Sequence, residues 1–248
     1  MRITYPSILI LALTLAACGG GGSDAGTQQQ PVGAPTGTSG GGTTTPKTGG
    51  LVEYYGDSTV WGWKTNSTNS TTGDRVSVPA PTAFVNALNA ESGSPGYQVA
   101  NEGKSGTTAC QLLAGTDGHP PWEQQLTALK GRWVIVNHAI NDRNTDSVSR
   151  YKECLRQLVR TAKAARKEAI LETPNPIVPD GLPPYVQAMR EVAAEEGTKL
   201  IDQYQYLTSY LNGRPVSEIV PDGLHPTEAV YELKGKYAAQ VFSTKVNP

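Results

Sequence analysis

Phenylalanine and methionine are nearly missing from this chain, with two of each in 248 residues, and there are only three histidines and three cysteines. With so few large apolar side chains to spare, a deep pocket for long apolar ligands is hard to furnish. The histidines His119, His138 and His225 show no paired spacing, so a metal site of the common zinc type has no support. An excess of either charge is lacking too: 21 Lys and Arg are interspersed with 22 Asp and Glu. Without a basic run or stripe, a nucleic-acid partner has no electrostatic footing. The apolar run from Ile8 to Ala17 is too short for a permanent membrane span, and the chain has no internal repeat.

That run follows a single positive residue, Arg2, and stops at Cys18, which is the layout of a secretion signal over residues 1–17. Leu15-Ala16-Ala17-Cys18 resembles the bacterial lipoprotein box, implying lipidation of Cys18 and a membrane anchor. Gly19 after it is similar to the pattern that sorts such proteins to the outer membrane. The alternative is a soluble secreted protein cut near Ala17. Residues 18–50 are mostly Gly, Ser, Thr, Gln and Pro and cannot bury enough surface to offset their ordering entropy. They are expected to form a tether with a root-mean-square reach of about 30 Å. Leu51 to Pro248 is the right size for one compact domain, expected to be a monomer. Cys110 and Cys154 remain, and an oxidising envelope permits them to pair. A bridge there would contribute about 4 kcal/mol in the chain-entropy model; two buried free thiols are the alternative.

Within the domain, short apolar runs alternate with helical periodicity. Strands are expected at Leu51 to Tyr55, Tyr97 to Asn101, Arg132 to Asn137, Ala169 to Thr173 and Lys199 to Asp202. Helices are expected from Pro81, from Pro121 to Leu129, from Asp146 with Tyr151, Leu155, Leu158 and Ala162 on one face, from Pro184, and after Pro226. The Asn- and Thr-rich stretch from Trp61 to Asp74 reads as a loop. This alternation implies an α/β three-layer α/β/α sandwich around a five-stranded parallel sheet, flavodoxin-like in topology. Ligands of such sheets bind beyond the carboxyl ends of the strands. Ser58, Gly106 and Asn141 all fall just after expected strands, and His225 precedes the last helix.

Ser58 follows Gly56-Asp57 at the end of a buried strand, where a tight turn presents its hydroxyl outward as a nucleophile. Acyl transfer then needs a base, a group that orients the base, and donors for the oxyanion. His225 is the candidate base and Asp222, three residues earlier in Asp-Gly-Leu-His, its orienting carboxylate. The oxyanion donors are the backbone N–H groups of Ser58 and Gly106 and the side-chain amide of Asn141. His138 and His119 rank lower, since neither is read as having a carboxylate at a short turn spacing and His119 leads into Pro120-Pro121 of an expected surface loop. A metal held by Asp57, Asp222 and His225 is the weakest alternative.

Gly56-Asp57-Ser58, the Asn101 to Gly106 turn, Asn141-Asp142 and Asp222-Gly223-Leu224-His225, in this order, resemble the blocks of the SGNH or GDSL hydrolases. The resemblance covers the domain from Leu51 and implies ester hydrolysis without metal or organic cofactor. One position departs from the pattern: Ala139 stands where the third block carries glycine, and alanine there needs a negative φ or accepts strain. Trp61 and Trp63 beside the nucleophile suit stacking on a sugar ring. The expected substrate is therefore an ester of a short acyl group, acetyl first, on a carbohydrate or cell-envelope glycan. A non-catalytic glycan-binding lipoprotein and an acyltransferase using the same residues are the competing readings.

Overall fold

The computed structural model describes residues 49–66, 72–91 and 93–248. The expected signal sequence, the lipidated Cys18 and the tether up to residue 48 lie outside the described residues. The chain runs β1 (Gly50–Gly56), α1 (Ser58–Trp61), β2 (Trp63–Thr65), β3 (Gly73–Arg75), α2 (Ala80–Ala90), β4 (Tyr97–Gly103), α3 (Ala109–Ala114) and α4 (Trp122–Ala128). It continues as β5 (Trp133–Asn137), α5 (Asp142–Thr145), α6 (Val148–Ala164), β6 (Glu168–Glu172), α7 (Pro183–Glu195), β7 (Lys199–Ile201), α8 (Gln203–Leu211) and α9 (Glu228–Val241).

The five long-range strands form one parallel sheet in the order β4-β1-β5-β6-β7. Counted along the chain that is 2-1-3-4-5, the flavodoxin-like order. Both faces are covered, which is why β5 reads as an unbroken apolar run and is buried at every position. On one face Val52, Tyr54, Trp133 and Ile135 pack with Phe84 of α2 and Ala238 of α9. On the other, Tyr55, Val134 and Val136 pack with Leu158 of α6 and Met189 of α7. The buried stripe of α6 follows the expected helical spacing, and Ser147 starts the helix by accepting the Arg150 N–H.

Three expectations need correction. The segment after the nucleophile is not a plain loop: Ser58–Trp61 closes into a helical turn and Trp63–Thr65 pairs antiparallel with Gly73–Arg75. The fifth strand stops at Ile201 because Asp202 instead caps α8, accepting the Gln205 N–H. The helices α3 and α8 are not among the expected elements: α3 is only six residues long, and α8, with Leu207 and Leu211 on its buried face, follows β7 after a single residue. Cys110 of α3 and Cys154 of α6 are joined by a disulfide, which pins α3 to the sheet-covering layer.

Candidate active site

The site grows from the end of β1. A Cβ on Gly56 would lie 2.3 Å from the Val60 side chain and 2.5 Å from the Asn137 carbonyl oxygen, so only glycine lets the chain turn directly from strand into α1. Asp57 caps that turn, its Oδ1 accepting from the Thr59 N–H at 2.8 Å and the Thr59 hydroxyl at 2.9 Å. Asp57 is fully buried, and its Oδ1 is committed to Thr59. Among the described residues no group of three His, Cys, Asp or Glu is arranged to hold a metal ion. Ser58 becomes the first helical residue, where its N–H has no intrahelical partner.

The base arrives from the far end of the chain. Ser58 Oγ lies 2.9 Å from His225 Nε2, and His225 Nδ1 lies 2.7 Å from Asp222 Oδ2. The other carboxylate oxygen of Asp222 accepts the backbone N–H groups of Leu224 at 2.9 Å and His225 at 2.7 Å. One side chain thus shapes the turn and orients the ring. Burial alone would raise the Asp222 carboxyl, but the hydrogen bonds from His225 and Leu224 outweigh it and hold the group below its ordinary value of 3.8. With Asp222 ionised, Nδ1 carries the proton and Nε2 is free to accept the serine hydroxyl.

The remaining blocks converge on the same edge. Gly106 takes a left-handed φ of 79° in the turn after β4, a conformation that suits glycine. Two ties hold this turn to the one after β5: Asn141 Nδ2 donates to the Thr107 carbonyl at 3.0 Å, and the Ala109 N–H donates to Asp142 Oδ1 at 2.8 Å. An amide nitrogen has two hydrogens, so Asn141 keeps one for a ligand. Ala139 is fully buried and lies outside the positive-φ region, so the departure from glycine is accommodated without strain. Ser58, Gly106, Asn141 and His225 line a cavity of about 230 Å³ together with Trp63, Ile140 and Leu224.

The two tryptophans part company. Trp63 sits at the site with its ring centroid 4.2 Å from that of His225. Trp61 is not part of the cavity wall, and the Arg75 guanidinium lies over its ring. Gly62, with φ 96°, turns the chain between them. His119 is also misread by sequence. Asp117, two residues earlier, accepts from its backbone N–H and lies 2.8 Å from its Nδ1, and the side chain is only 10% exposed. The short spacing was there to be seen, but Nε2 faces Glu102 at 3.4 Å rather than a nucleophile. His138 is buried behind the site with Nε2 3.4 Å from the Thr107 hydroxyl. Ser105, Ile140 and Leu224 were missed as lining residues because nothing in their type marks them.

A hydroxyl in contact with an imidazole that a carboxylate orients, beside convergent N–H donors, is an arrangement able to carry out acyl transfer. Comparison with known proteins points the same way. The family model of the GDSL-like lipase/acylhydrolase family matches residues 54–233. The fold is similar to that of an acetylxylan esterase from Geobacillus stearothermophilus, at 24% identity, TM-score 0.60, and 79% of this chain against 94% of that one. It is likewise similar to a putative GDSL-like lipase from Parabacteroides merdae, at 18% identity, TM-score 0.64, and coverage of 80% and 98%. An alpha/beta hydrolase enzyme from the metagenome of Lake Arreo matches at 22% identity and TM-score 0.62, over 79% and 94%. No curated protein sequence matches the chain.

Proposed function

Since the chain belongs to the GDSL-like lipase/acylhydrolase family and is a carboxylic ester hydrolase, we propose that Ser58, His225 and Asp222 are its catalytic residues and that it removes short acyl groups, acetyl first, from carbohydrate. The observation that carries the reading is the 2.9 Å contact of Ser58 Oγ with His225 Nε2, backed by Asp222 at 2.7 Å. Ser58 attacks the acyl carbon as His225 Nε2 takes its proton. The oxyanion is held by the N–H groups of Ser58 and Gly106 and by Asn141 Nδ2. His225 then protonates the leaving alkoxide, and water hydrolyses the acyl-enzyme by the reverse use of the same groups.

The size of the cavity supports a short acyl group. Sites that engulf larger ligands run to roughly 300–1,000 Å³, and this one has about 230 Å³. Trp63 offers one aromatic wall for a sugar ring, and a structural neighbour is an acetylxylan esterase. Offered acetylated xylo-oligosaccharide, the protein is expected to release acetate, and kcat/KM for p-nitrophenyl esters is expected to fall at least about tenfold from acetate to dodecanoate. Faster turnover of the long-chain ester would overturn the substrate assignment.

We further propose that Cys18 carries a lipid that anchors the protein in a bacterial envelope, on the strength of Leu15-Ala16-Ala17-Cys18 alone. Cells fed radiolabelled palmitate are expected to label the full chain but not its Cys18→Ser variant. Equal labelling of both, or of neither, would dismiss the anchor.

A further inference from the structure

Behind the catalytic loop lies a polar network that the reaction as described does not use. Lys234 of α9 is 1% exposed, an unusual place for an ammonium group, and its Nζ donates to Asn175 Oδ1 at 3.1 Å. Asn175, in the segment after β6, is itself fully buried. Its amide nitrogen donates onward to the carbonyls of Pro176 and Leu224, each at 3.1 Å. Leu224 is the residue immediately before His225, and its own N–H is already held by Asp222.

The network also reaches the nucleophile side. Burial pushes the Lys234 ammonium towards its neutral form, and the charges of Glu172 and Asp57 oppose that. Glu172 is fixed by three donors: the Tyr54 hydroxyl at 2.6 Å, Asn137 Nδ2 at 2.7 Å and Gln203 Nε2 at 2.7 Å. Gln203 Nε2 also donates to the Lys234 carbonyl at 2.9 Å. Asp57 directly precedes Ser58. Lys234 therefore feels the carboxylate behind the serine and is tied through Asn175 to the backbone before the histidine.

We propose that Lys234 and Asn175 are positioning residues for catalysis, holding the Leu224 carbonyl so that the His225 ring keeps its register on Ser58. The alternative, a buried charged network kept only for stability, is weak on general grounds. Replacing buried charged groups together with their partners by apolar residues is often neutral or stabilising. Here the chain of contacts ends on the backbone of the loop that carries the base. The proposal rests on the Ser58 and His225 esterase reading, since it assigns a role in setting their geometry.

The test uses Asn175→Asp in the full chain. The carboxylate still accepts from Lys234 but has no hydrogen to give to the Leu224 carbonyl. For a displaced catalytic group, kcat for p-nitrophenyl acetate is expected to fall about 100-fold with KM within about twofold. Labelling of Ser58 by a serine-reactive phosphonate is expected to slow by the same factor. Lys234→Met combined with Glu172→Gln removes the cation with one of its carboxylate neighbours and is expected to give the same split. A purely structural role would lower the melting temperature while leaving kcat of the folded protein unchanged. Either variant, folded by circular dichroism and with kcat within about twofold of the parent, overturns the positioning role while a labelled parent leaves the esterase reading standing. A parent that the phosphonate does not label at Ser58 brings down both.

Discussion

Asp222→Asn is expected to cost about 10⁴ in kcat and Ser58→Ala about 10⁶, both with KM little changed. The asparagine variant is the more informative. Its side-chain oxygen can still accept the N–H groups of Leu224 and His225, which now converge on Asp222 Oδ1 at 2.9 and 2.7 Å, so the turn is retained. What changes is the group facing His225 Nδ1, now a carboxylate oxygen 2.7 Å away. An amide NH₂ there makes Nδ1 an acceptor and moves the ring proton to Nε2. The imidazole then offers a hydrogen to Ser58 Oγ where it should accept one, and the imidazolium of the transition state loses its counter-charge. Steady-state turnover of p-nitrophenyl acetate by the folded variants checks this. An Asp222→Asn enzyme within about tenfold of the parent would show that another group orients the base.

Sequence is most legible where one residue type decides the local geometry. Gly56-Asp57-Ser58 could be placed because strand, glycine and serine are adjacent, and Asp222 and His225 because the pair closes within a single turn. The sheet was legible for a similar reason: buried parallel strands are continuous apolar runs, and their alternation with amphipathic helices allows few topologies. What escaped depends on distant partners. Trp61 and Trp63 look alike in the chain, yet one lies under Arg75 and the other against His225, 162 residues later. Lys234 stands among Val230, Tyr237 and Val241 on the apolar face of α9, and its type gives no hint of the Asn175 side chain, from the segment after β6, that meets it in the core. His119 failed for another reason: its Asp117 partner was in plain view, and only the presence of Glu102 opposite Nε2 shows why the pair lacks a nucleophile.

The buried pair behind the oxyanion turns makes the second large prediction. Burial raises the Asp142 carboxyl to about 7, against the Ala109 N–H, which lowers it, and the charge of Asp57, which adds to the rise. Burial likewise lowers the His138 imidazole to about 4, against the charges of Asp57 and Asp117. Asp142 Oδ2 and His138 Nδ1 have no hydrogen-bond partner among the described residues, so each ion is compensated only in part and burial prevails. The signs are opposite in effect. An acid raised from 3.8 to about 7 gives stability that is complete below 3.8 and is lost as pH rises through 7. A base lowered from 6.5 to about 4 gives stability that is complete above 6.5 and is lost as pH falls towards 4.

Across that window the two contributions nearly cancel in the native protein, leaving a shallow pH dependence from this pair. Asp142→Asn keeps an oxygen for the Ala109 N–H and resembles the protonated acid, so it should gain on the parent by about 4 kcal/mol between pH 4 and pH 7. His138→Gln removes the opposing contribution and should lose about 3 kcal/mol relative to the parent over the same rise. Urea denaturation of the three proteins at intervals from pH 4 to pH 7 reads the divergence directly. Parallel curves would mean that Asp142 and His138 do not titrate as buried groups, and that water reaches the space behind Thr107.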